Sequence, residues 1–449
     1  MIVMKFGGSS IESAAAIARV AGIVAARASR KPVVVVSAMG KTTNRLLEIG
    51  TVAASGNREE ALSLLAGLEQ FHSQVVAGVS SHLITTHFSE LRELVTGLLV
   101  MGEMTPRATD AIAAFGERLS SQILTEYFNS QGLDAVHVDA RQLIVTDNRH
   151  TQAAPMYAES YAKLTATIPP LSQAGKIVVM AGFIASTRAG ITSTLGRGGS
   201  DFTASIAGAA IGAEEIQIWT DVDGMLTCDP RILAGGHRIK TCSFAEAAEL
   251  AYFGAKVLHP ATVVPAIEKN IPVLILNSRR PDAEGTRIVG ERVPCTNPVK
   301  SIACKQNITV VNIQSSRMLM AHGFLRRIFE VFERFETPVD VVSTSEVSVS
   351  LTIDSPANLD PILAELREFS EASAEDSSAL ISLVGDSIGS TSGVAARAFN
   401  AIRDVNIRMI SQGASALNIS FVVSQRELKR SVEQLHNEFF SKLDPEVFE

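Results

Sequence analysis

Cysteine is scarce in this chain: four in 449 residues, at positions 228, 242, 295 and 304, with no C-x-x-C pair among them. That argues against a disulfide framework or a thiolate zinc site and for reduced thiols. Aromatic residues are also few, with one Trp and four Tyr, so there is little surface on which nucleobases could stack. Nor is there an excess of positive charge; 40 Lys and Arg against 47 Asp and Glu leave −7, a balance unsuited to a nucleic-acid or anionic-membrane partner. The longest apolar runs, such as Val33–Val36 and Ile177–Ala185, fall far short of the roughly 18 to 20 residues a membrane span needs. The opening residues show no signal-peptide pattern, because glycines follow a short apolar stretch at once. The nine histidines form no H-E-x-x-H; His72, His82 and His87 fall in a helical region and read as packing or surface residues. A soluble, cytoplasmic protein is the expectation.

What is present is a chain long enough for two or three domains, with 46% apolar residues. Residues 1–290 alternate short apolar runs with helical patterns, which predicts an α/β fold with helices on both faces of a mainly parallel sheet. Candidate strands are 2–6, 32–37, 135–139, 176–183, 215–221 and 271–277, and a long helical region covers 58–130. Turn formers and charge crowd 284–298, marking a boundary. Beyond it a β-α-β-β-α pattern occurs twice, so the expected organisation is a catalytic domain over 1–290, a linker over 291–306 and two α+β modules over 307–378 and 379–449. Residues 299–305 are also a possible further strand of the second module.

Several polar segments fall at predicted strand ends, where ligands sit in such sheets. Lys5-Phe6-Gly7-Gly8-Ser9-Ser10 places a cation and two glycines between a strand and a helix, a pattern that can cradle an anion and that alone equals an ordinary turn. Ser37-Ala38-Met39-Gly40 and Thr43 follow the second strand and read equally as a polar turn. Gly116-Glu117 lies in a helical region, where glycine is costly; the glutamate suits a ligand ammonium or a solvated face. Leu195-Gly196-Arg197-Gly198-Gly199-Ser200-Asp201 is the strongest signal, a glycine-rich helix entry with a guanidinium inside it. Thr220-Asp221 and Asp229-Pro230-Arg231 follow another strand, and Phe253-Gly254-Ala255-Lys256 offers a second lysine.

With these motifs together the chain resembles the aspartokinases of the amino-acid kinase family, end to end. Lys5 to Ser10 is similar to the family opening K-F-G-G-S/T-S, Leu195 to Asp201 to L-G-R-G-G-S-D, and Phe253 to Pro260 to F-G-A-K-V-L-H-P. Thr344 to Leu351 resembles a strand of the lysine-sensitive, single-activity members, and the C-terminal modules resemble ACT domains. The resemblance implies a three-layer amino-acid-kinase sandwich and phosphorylation of the L-aspartate side chain by ATP with Mg2+ bound mainly through the nucleotide. It implies catalytic roles for Lys5, Asp201 and Lys256, and aspartate contacts from Ser37, Thr43, Glu117, Arg197, Gly198 and Ser200. ATP would meet Lys5, Gly7, Gly8, Ser9, Thr220, Asp221, Arg231 and Lys256. A lysine effector would meet Met318, Gly323, Phe324, Leu325, Val339, Asp340, Thr344, Ser345 and Glu346 in at least a homodimer, with a tetramer open. Leu226 and Lys41 depart from the family pattern. The competing readings are another kinase of this fold, such as acetylglutamate kinase, and a non-catalytic amino-acid sensor.

Overall fold

Four consecutive valines at 33–36 are wholly buried, the condition of a parallel strand covered on both faces. The computed structural model describes residues 1–76, 81–254, 260–315, 322–386 and 388–449. The chain divides into two units, Met1–Met225 with Val257–Glu291, and Leu226–Lys256 with Arg292–Glu449.

The first unit carries β1 (Ile2–Phe6), β2 (Pro32–Val36), β3 (Ala135–Val138), β4 (Val145–Thr146), β5 (Ile177–Ala181), β6 (Ile184–Thr187), β7 (Thr192–Thr194) and β8 (Ile216–Thr220). β9 (Thr241–Ser243) belongs to the second unit, and β10 (Val273–Asn277) and β11 (Thr286–Val289) to the first. Its main sheet runs β3-β5-β2-β1-β8-β10-β11 and is parallel except for β10 against β11. A small second sheet, β4-β6-β7, has strands of two to four residues, too short for an alternation that sequence could display.

Strand periodicity decides what faces what. Ile2, Met4 and Phe6 enter an apolar core shared with the helices Ala14–Ala25, Thr42–Ala54, Arg58–Val76, Ser81–Met101 and Phe115–Ser130. Val3 and Lys5 therefore point to the opposite face, where the helix Gly199–Ile211 packs on β1. The helical region expected over 58–130 is thus a four-helix layer including Pro106–Ala113.

The second unit contains β12 (Ser301–Gln314), β13 (Val342–Thr344), β14 (Ser348–Ile353), β15 (Glu371–Val384), β16 (Met409–Gln412) and β17 (Asn418–Ser424). They form one sheet in the order β13-β14-β12-β15-β17-β16, with antiparallel neighbours. β12 and β15 pair along most of their 14 residues, so both βαββα modules share these two strands. Residues 301–306, expected in a linker or as an added strand, are the first half of β12. The register shifts past Lys305, and Asn307 and Ser377 have positive φ; that irregularity breaks the alternation by which one long strand would be recognised. Residues 226–256, read from sequence as part of the catalytic domain, group with this unit. The Ile302 N–H donates to the Thr227 carbonyl, Lys300 pairs with buried Glu246 at 2.8 Å, and Ser415 and Asn418 donate to Glu249. Among the described residues no helix is long and apolar enough to cross a membrane, and no group of three or more His, Cys, Asp and Glu could hold a metal ion.

Candidate active site

In the first unit a cleft of about 330 Å³ opens at the carboxyl ends of β1, β2 and β5. Lys5, one residue before the end of β1, points into it and pairs with Asp201 at 2.6 Å; both side chains are mostly buried. Asp201 stands in the first turn of the helix Gly199–Ile211, where an anion is favoured by the helix dipole. That helix begins at Gly198 with φ of 72°, a left-handed entry costly for a side-chain-bearing residue. The resulting loop carries Arg197 exposed at the cleft wall, with no ion-pair partner among the described residues.

Opposite lies Glu117, 3% exposed, in the first turn of Phe115–Ser130. Gly116 explains how the helix brings it there: a Cβ at 116 would stand 2.7 Å from the Ala38 Cβ, so only glycine lets this turn lie on the loop after β2. Burial pushes the Glu117 carboxyl up to about 8, partly offset by the N–H groups of Ala38 and of Glu117 itself. Its Oε2 is buried without a hydrogen-bond partner among the described residues, on a side chain that lines the cleft, and is costly to leave unmet.

Ser37, Thr43, Gly198 and Ser200, expected at aspartate, and Gly8, expected at ATP, also line the cleft. Phe183 lines it too and is not among the expected residues; its φ of 65°, rare for a bulky residue, is a backbone property that sequence does not display. Gly7, Ser9, Thr220 and Asp221 are not in this lining. They stand at the adjoining ends of β1 and β8, where the Gly7 N–H donates to the Trp219 carbonyl and the Thr220 hydroxyl to Asp221. Arg231 lies in the second unit, exposed and paired with Asp229 at 2.6 Å. Lys256 and Met318 lie outside the described residues.

The described effector residues stand in different settings. Gly323, with φ of 82°, opens the helix Phe324–Arg334, whose Leu325 is exposed. Phe324 has its side chain buried edge-on against Phe369 in the module core. Val339 is packed against the same core. Asp340 is engaged by Lys305 at 3.0 Å and by the Tyr252 hydroxyl, and burial together with a hydrogen bond to Asp354 raises its carboxyl above the usual range. Thr344, Ser345 and Glu346 are exposed at the turn between β13 and β14, where the Ser345 N–H donates to the Ser348 carbonyl. A polar cavity of about 430 Å³ on this sheet, bordered by Asn312, Ser350 and Glu371, contains none of them.

The model of the amino acid kinase family matches residues 1–277, and an ACT domain model matches 381–439. The chain is 39% identical to aspartokinase 3, chloroplastic, of Arabidopsis thaliana, over 98% of this chain and 81% of that protein. The chain belongs to the aspartokinases. Among solved structures it is similar to E. coli aspartokinase III in complex with aspartate and ADP, described as the R-state, at 33% identity and TM-score 0.84, over 98% of this chain and all of that one. The same E. coli enzyme with lysine and aspartate, the T-state, matches at 33% identity and TM-score 0.85, over 98% and 99%. The three-layer α/β unit and the ACT-type sheet are those of this family, and its members are enzymes that phosphorylate aspartate.

Proposed function

We propose that the cleft holds L-aspartate while ATP passes its γ-phosphoryl group to the side-chain carboxylate, yielding ADP and 4-phospho-L-aspartate. One observation carries this reading: a guanidinium and a buried carboxylate oxygen, both without partners among the described residues, converge with a lysine on one cavity. Arg197 suits the α-carboxylate as a two-pronged donor and Glu117 the α-ammonium. Ser37, Thr43 and Ser200 supply hydrogen bonds. The side-chain carboxylate, with reference pKa near 3.9, is ionised at neutral pH, so no general base is needed. The barrier is repulsion between two anions. Lys5 lowers it at the transferring phosphoryl, and Asp201 fixes the direction of the ammonium. The N–H groups of Gly8 and Ser9 would meet phosphate oxygens, the Gly7 N–H being held by the Trp219 carbonyl, and Thr220 and Asp221 would meet the nucleotide. Magnesium carried by the ATP phosphates would neutralise charge there, with Asp201 the carboxylate of this cleft suited to hold it.

The second unit is assigned to regulation by an amino acid, L-lysine, on the strength of the ACT match and the lysine-bound relative; at least a dimer and a cytoplasmic location are proposed from the sequence alone. Because Lys305 and Tyr252 occupy Asp340, an effector ammonium has to displace them or use the exposed Glu346. Hydroxylamine trapping of acyl phosphate, with L-aspartate, L-glutamate and N-acetylglutamate in parallel, tests the activity. Hydroxamate is expected from aspartate alone, suppressed by added lysine and not by threonine or methionine. Product from acetylglutamate instead overturns the substrate, and indifference to lysine overturns the effector.

A further inference from the structure

Arg197 has no side-chain partner among the described residues, so its direction is set by its loop backbone, and what fixes that backbone lies beneath the cleft. Asp110, on Pro106–Ala113, is 0% exposed. Its carboxylate accepts from the His150 ring at 2.7 Å, from the Thr151 N–H at 3.0 and 3.1 Å, and from the Thr194 hydroxyl at 2.6 Å. Thr194 ends β7 and immediately precedes the arginine loop. Thr151 touches the loop from the other side: its carbonyl would lie 3.2 Å from a Cβ at Gly196. Thr151 also has φ of 72°, a strained conformation for a β-branched residue that its captured N–H helps to hold. The Ala153 N–H closes the frame on the Thr194 carbonyl at 2.9 Å.

We propose that Asp110 is a positioning residue for substrate, joining Thr151 and Thr194 into the floor that aims Arg197 at the α-carboxylate of aspartate. A carboxylate suits the place because three donors from two separate segments converge on it; an apolar residue would leave them unmet. Asp110, His150, Thr151 and Thr194 are not among the residues lining the cleft that holds Lys5. The inference rests on the proposed aspartate clamp and predicts a selective defect: aspartate binding weakens while the nucleotide side is spared.

The test is steady-state kinetics on the full chain with Asp110→Asn, Arg197→Ala and the double variant. Asp110→Asn is expected to raise the aspartate KM about 10-fold, leaving ATP KM and kcat within about threefold. On the Arg197→Ala background it should add less than about twofold, because the two residues act through one contact. If Arg197→Ala leaves the aspartate KM unchanged, the clamp itself is wrong. If Arg197→Ala raises that KM and Asp110→Asn does not, or multiplies it in full in the double variant, positioning is refuted while the clamp stands. Should Asp110→Asn fail to fold, Thr194→Val removes one hydroxyl of the same frame. A severalfold rise in aspartate KM alone supports the proposal, and no change overturns it.

Discussion

Replacing Lys5 by methionine is expected to lower kcat by about 100- to 1,000-fold, the usual loss when one preorganised charge opposite developing negative charge is removed. The side chain is held at 2.6 Å from Asp201 and mostly buried. Its charge therefore acts where water screens poorly, and its direction is fixed before substrate arrives. Aspartate KM should change by no more than about threefold, since Arg197 and Glu117 remain, so the loss falls on the chemical step. Methionine keeps the length and apolar stem. Circular dichroism should show a folded protein. A variant that binds both substrates normally and turns over at the wild-type rate would remove Lys5 from the mechanism.

The second large effect is a pH dependence. In the empty cleft burial pushes Glu117 up to about 8, so at pH 7 the carboxyl is mainly protonated. The substrate ammonium favours the ionised form, and binding must release that proton. The sign follows: below pH 8, binding works against protonation, and kcat/KM for aspartate rises with pH. The slope approaches about tenfold per unit between pH 6 and 8 and flattens above. Calorimetric titration at pH 7 in two buffers of different ionisation enthalpy should report release of close to one proton. Glu117→Gln should abolish the slope and lower kcat/KM roughly 10- to 100-fold, the loss of a charge-assisted contact. A slope unchanged in the variant would assign the titration to another group.

Both predictions concern residues that sequence could name but not place. The Arg197 loop was legible because its glycines, arginine and capping Ser-Asp are local, and backbone chemistry at a helix entry is written in consecutive residues. Glu117 was ambiguous. Only the approach of Gly116 to Ala38, nearly eighty positions away in sequence, shows that this carboxylate is buried and lines the cleft. Phe183 and Asp110 carry no motif at all; one is marked by a backbone angle and the other by donors arriving from Thr151 and Thr194. Regular strands such as β1 and β2 were readable from apolar runs, whereas β12 and β15 were cut short because polar stretches and a register shift interrupt their alternation. Grouping of 226–256 with the regulatory sheet depends on the contacts of Glu246 and Glu249, which are long-range and polar.

The measurement that bears most directly on the central claim is a crystal structure of this chain with L-aspartate and ADP. The account predicts the α-carboxylate on Arg197, the ammonium on Glu117 and the side-chain carboxylate turned toward Lys5. Aspartate bound elsewhere, or with its ammonium away from Glu117 and its α-carboxylate away from Arg197, would contradict it.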